Sequence, residues 1–84
     1  MNTVTIQIKT KRISSESEKA LTILTSSYGG MFIHIPKSQI KARKQIPNVS
    51  SSDLDFTELV LTKWIYHLKI DELKRLSEYD LKIL

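Results

Sequence analysis

Few side chains in this sequence are equipped for chemistry. His34 and His67 are its only imidazoles, and neither belongs to a Ser-His-Asp order or a Gly-x-Ser-x-Gly elbow that would make it a catalytic base. Carboxylates occur in close pairs, Glu16 with Glu18, Asp53 with Asp55 and Asp71 with Glu72, which is the raw material of general acid–base work. All three pairs lie in polar surroundings that offer no burial to push their pKa values apart, so they read as solvated or capping groups. There is no His-x-x-x-His, no EF-hand loop and no cysteine, so neither a metal site nor a cofactor is expected. Gly29-Gly30 lacks the Lys-Ser/Thr of a phosphate loop and precedes a strand pattern, which makes it a turn. The sequence reads as that of a non-enzyme.

Two charged sets remain, and both are suited to binding. Lys37, Lys41, Arg43 and Lys44 fall within eight residues, and Tyr28 and Phe32 lie on the segment just before them. Phosphate contacts beside aromatic faces are what small barrels use to hold single-stranded nucleic acid. The same lysines also fit a strand edge guarded against aggregation. The second set is acidic: Asp53, Asp55, Glu58, Asp71, Glu72, Glu78 and Asp80 could mimic phosphates in the basic groove of a partner. The two sets divide the chain. Residues 1–49 carry eight basic groups against two acidic, and residues 50–84 carry five basic against seven acidic, within a net charge of +4.

The elements that position these groups follow from periodicity. Val4, Ile6 and Ile8 alternate with Thr5, Gln7 and Lys9 as in a half-buried strand. Lys11 to Lys19 is polar and reads as a connection. Ala20 to Thr25 and Met31 to Ile35 are strands joined across Ser26-Ser27-Tyr28-Gly29-Gly30 as a hairpin, with Phe32 and His34 on one face and Met31, Ile33 and Ile35 on the other. Pro36 ends that strand, and Lys37-Ser38-Gln39 forms a turn. Ile40 to Ile46 is an edge strand, with Ile40, Ala42 and Ile46 on one face. Pro47 to Asp53 is a linker, and Asp55 to Leu61 is a strand or a first helical turn, with strand preferred.

From Thr62, an available N-cap, the period changes. Leu61, Trp64, Ile65 and Leu68 make a helical stripe, which casts Trp64 as a core anchor. Asp71 can cap a second segment carrying Leu73, Leu76, Tyr79 and Ile83, either separate from the first or continuous with it. The expected fold is α+β: a small antiparallel sheet of four to five strands, or a partly open barrel, with a C-terminal helix or two helical segments. It is a single domain over residues 1–84, mainly β to residue 61 and mainly helical from 62.

Composition narrows the setting. Eighty-four residues, 40% hydrophobic and 26% charged, suit one soluble domain too small to enclose a spacious active site. The absence of cysteine points to a reducing, cytoplasmic compartment. The first residues lack a basic and then apolar leader, and apolar runs stop after three residues, against the ~20 that span a bilayer. No membrane partner is expected.

Ser15-Glu16-Ser17-Glu18-Lys19-Ala20-Leu21, then Phe32-Ile33-His34-Ile35-Pro36-Lys37-Ser38-Gln39-Ile40, then Leu61-Thr62-Lys63-Trp64-Ile65, resembles a family of small uncharacterised phage and mobile-element proteins. The resemblance covers residues 13–68, and Ile-Pro-Lys-Ser-Gln-Ile is its most specific part. His34 stands where that family has tryptophan, and Asp71 to Leu84 extends past its usual end. It implies a β-rich fold and a mobile-element context, and carries no functional residues with it. Together these readings give a non-enzymatic binding protein, an anti-CRISPR-like inhibitor that occludes a host defence nucleoprotein. The alternative is a single-strand nucleic-acid binder using the basic edge. The terminal helix, with Tyr66, Tyr79 and Leu84, also offers a surface for a homodimer.

Overall fold

A computed structural model describes residues 2–25 and 31–84. The fold is α+β, with seven strands in two antiparallel sheets and one α-helix among these residues. One sheet has four strands: β1 (Thr3–Lys9), β5 (Ile40–Ile46), β6 (Phe56–Thr62) and β7 (Leu81–Ile83), in the order β5-β6-β1-β7. The other has β2 (Ile13–Glu16), β3 (Ala20–Leu24) and β4 (Phe32–Pro36), in that order. Helix α1 (Lys63–Leu73) follows β6 directly and packs against β1, β4 and β6.

Alternation decides which face of each strand is buried. Ile6 and Ile8 of β1 and Thr57, Leu59 and Leu61 of β6 point inward from the four-stranded sheet. Leu21, Ile23, Ile33 and Ile35 point inward from the other sheet, and Ile65 and Leu73 of α1 join one continuous core with Leu76 and Leu81. Phe32 and His34 are exposed together on the outer face of β4, where His34 Nδ1 and Thr22 Oγ1 of β3 are hydrogen-bonded at 3.0 Å. The sequence predicts this face pairing.

Several predicted details are corrected. The connection at Lys11–Lys19 contains β2, whose single large apolar residue, Ile13, pairs opposite Ile23. A β-bulge between Ile40 and Ala42 breaks the expected alternation in β5. Ile40 lies opposite inward-facing Leu61, whereas Ala42 and Ile46 lie opposite outward-facing Val60 and Phe56. The tail is not helical beyond Leu73: Asp71 lies inside α1 and caps nothing new, residues 74–80 turn, and 81–83 add β7 beside β1. Trp64 is not a core anchor, for it is 64% exposed. The hairpin turn at Gly29-Gly30, with Tyr28, lies outside the described residues.

The margins of the two sheets meet where Glu16 of β2 pairs with Arg43 of β5, and a separate ring of side chains ties Thr10, just after β1, to the four-stranded sheet. Between β2 and β5 no backbone ladder runs, since β2 pairs with β3 and β5 with β6. Thr10 and Thr57 hydroxyls meet at 2.9 Å, Gln45 Nε2 donates to Thr10 Oγ1 at 3.0 Å, and Thr57 Oγ1 donates to Gln45 Oε1 at 3.1 Å. This closed ring satisfies the fully buried Thr57 hydroxyl, which would otherwise destabilise the interior. No helix among the described residues is long and apolar enough to cross a membrane.

Candidate functional site

The first of two surface features is built on α1. Thr62 leaves β6 with extended dihedrals, and its hydroxyl accepts from Ile65 N at 3.3 Å, as an N-cap should. The same hydroxyl donates to Gln39 Oε1 at 2.7 Å, and Lys63 N donates to Asn2 O at 2.9 Å. These contacts fix the rotation of the helix about its axis. Ile65 and Leu73 turn into the core, with Tyr66, Lys69 and Ile70 half-buried beside them. Trp64 and Leu68, one turn apart, are left on the outer face, 64% and 59% exposed, with His67 and Asp71 also exposed. Tyr66 and His67 meet edge to face at 5.6 Å between ring centroids.

Sequence reasoning placed Trp64 and Leu68 inside because they share helical spacing with Leu61 and Ile65. A second stripe, Ile65, Tyr66, Ile70 and Leu73, competes with it, disguised by Lys69 in its middle. A helix apolar on two sides must leave one of them uncovered unless both are enclosed, and that was the available signal.

The second feature is the seam between β2 and β5. Glu16, the last residue of β2, receives Lys37 Nζ on Oε2 at 2.7 Å and Arg43 Nη1 on Oε1 at 2.9 Å. A cleft of about 230 Å³ opens there, lined by Glu16, Lys37, Ile40 and Arg43. Lys37 first, then Arg43, hold the Glu16 carboxyl below its ordinary pKa of 4.5 by hydrogen bonding to the charged form. A carboxyl whose pKa is lower folded than unfolded stabilises the fold above the unfolded value, and that contribution disappears as pH falls through the folded one. Thermal midpoints of wild type and Glu16→Gln, followed from neutral pH down to about pH 3, are therefore expected to draw together below 4.5. Curves that stay parallel would remove Glu16 from the protein's acid response.

Of the predicted nucleic-acid residues, Lys37 and Arg43 are thus brought together. Lys41 is exposed, with Nζ 3.5 Å from Ser38 O, and Lys44 lies opposite Glu58 on the outer face. The acidic set is scattered and partly consumed. Asp80 is only 8% exposed and lies 3.0 Å from Arg12 Nη2 and 4.0 Å from Lys9 Nζ. Asp55 accepts Asn48 N at 2.6 Å, Glu58 accepts Gln7 Nε2 at 3.0 Å, and Glu72 pairs with Lys69 at 3.5 Å. Asp53 and Glu78 are exposed in separate turns, and Asp71 is exposed on α1. Seven acids drawn from four parts of the chain, with Asp80 buried, do not assemble as one phosphate-like array. Among the described residues no three histidine, aspartate or glutamate side chains are grouped to hold a metal ion.

No protein-family model, curated protein or solved structure matches this chain.

Proposed function

We propose that this is a non-enzymatic binding protein that works by occlusion, docking a protein partner on the outer face of α1. One observation carries the reading: Trp64 and Leu68 stand together in solvent on a helix whose opposite side is already fixed in the core. Tryptophan is among the residue types most enriched as energetic anchors at interfaces, and a preformed helix presents it with no backbone ordering cost. The resemblance to small phage proteins suggests the partner class, a nucleic-acid-guided defence complex of the host.

The double variant Trp64→Ala/Leu68→Ala separates docking from folding. Its stability is expected to stay within roughly 1 kcal/mol of wild type, since exposed positions contribute little. Its affinity for the partner is expected to fall by about 2 kcal/mol or more, roughly thirtyfold. The measurement is target-DNA binding by reconstituted RNA-guided complexes, read by gel shift with increasing amounts of either protein. Wild type should displace the target and the variant should not. Full target binding at saturating wild-type protein across the complexes, or equal inhibition by the variant, would overturn the reading.

A further inference from the structure

We infer that Lys37 and Arg43 form a fork for a backbone phosphate of single-stranded nucleic acid, and that Glu16 occupies this fork as an internal competitor until the strand displaces it. The fork does not depend on the docking face of α1. Two cations from different elements, one in the turn after β4 and one on β5, converge on the two oxygens of a single carboxylate at 2.7 and 2.9 Å. Two non-bridging phosphate oxygens offer the same paired acceptors, and lysine with arginine is a suitable couple for them.

Three further observations favour an exchangeable occupant over a fixed clasp. The ion pairs are partly solvated, with side-chain exposures of 33% to 41%, so opening them costs little. The adjoining cleft of about 230 Å³ leaves room for an incoming group beside the carboxylate, with Ile40 as an apolar wall. The margin itself is open, because no backbone ladder joins β2 to β5. Lys41 and Lys44, both exposed on β5, extend positive charge along the same edge. Lys41 lies beside the fork, with its Nζ 3.5 Å from Ser38 O, whereas Lys44 points to the outer face opposite Glu58.

The test is fluorescence anisotropy of a labelled oligothymidylate against wild type, Glu16→Gln and Lys37→Ala/Arg43→Ala over a salt series, with circular dichroism to establish that each variant is folded. Glu16→Gln is expected to bind more tightly than wild type. Its salt dependence should be steeper by up to about 0.7 in log–log slope, the value for one additional phosphate neutralised on a single strand. Lys37→Ala/Arg43→Ala should lose most of the binding and flatten the slope by a similar amount. Glu16→Ser, which also removes the carboxylate, should repeat the gain. Inorganic phosphate, added as competitor, should weaken the Glu16→Gln complex.

A Glu16→Gln protein that melts earlier but binds no better would reduce the fork to a structural clasp and overturn the inference. So would a fork that takes inorganic phosphate and ignores the oligonucleotide. Trp64→Ala/Leu68→Ala should bind the oligonucleotide like wild type, so failure here and failure of the α1 docking reading are separately visible.

Discussion

Replacing Leu59 with alanine is expected to cost about 2–5 kcal/mol, the range for a fully buried leucine that leaves a cavity behind. Leu59 has no exposed surface and sits on β6, the strand hydrogen-bonded on both sides by β1 and β5. Its direct cross-strand neighbours are Ile6 on β1 and Arg43 on β5. The inner faces of the two sheets meet there, and paired strands on both flanks resist collapse into the void. A domain of this length has only about 4–12 kcal/mol of stability in total, so the variant should be marginal at room temperature. Urea unfolding followed by circular dichroism reads the change directly. Leu68→Ala is the paired control, expected within about 0.5 kcal/mol of wild type because that side chain is exposed. Equal losses for both would mean that α1 is rotated from the position described.

Asp80→Ala is expected to remove about 2–3 kcal/mol and to lower the thermal midpoint by roughly 10–20 °C. The Asp80 carboxylate accepts from Arg12 Nε at 3.1 Å and from Ser77 Oγ at 3.4 Å, while its backbone carbonyl accepts Lys9 N at 2.9 Å. Lys9 and Arg12 are themselves mostly buried, so losing the carboxylate leaves cationic groups short of compensation in a region of restricted solvent. The backbone bond to Lys9 survives the substitution, which isolates the side chain. A Glu72→Ala variant, which loses only the surface pair with Lys69, should melt close to wild type. If Asp80→Ala also melts like wild type, the clamp between residue 80 and the end of β1 contributes nothing. The result bears on function too, because a charge reversal at Asp80 reports folding and not docking.

Much of the fold was legible because it is written in local pattern. The alternation of Val4, Ile6 and Ile8, the Pro36 strand end and the Thr62 cap each depend on residues close in sequence, and each stands where periodicity put it. β2 was invisible for a different reason. Ile13-Ser14-Ser15-Glu16 has one apolar residue in four, and becomes a strand because β3 presents an unpaired edge to it. Leu81-Lys82-Ile83 fits either period, and its partner in β1 lies at the other end of the sequence. The candidate sites were legible by halves. Lys37 and Arg43 stood out as charge, but their convergence on Glu16 needs two sheet margins to meet, which no spacing reveals. Trp64 was read by type and stripe as core, and only the cap and the strand before α1 fix which way it turns.

The order β5-β6-β1-β7 sets β1 between partners that the ribosome makes much later. The three-stranded sheet joins neighbours in sequence, so its strands are complete once residue 36 has left the exit tunnel. Leu21, Ile23, Ile33 and Ile35 then form a water-facing apolar surface with nothing to cover it, because Leu59, Leu61, Ile65 and Leu73 have not yet emerged. β1 meanwhile waits unpaired. Vectorial synthesis thus leaves a half-made product with one sticky face and one free strand, the state most open to misassembly and to capture by a chaperone.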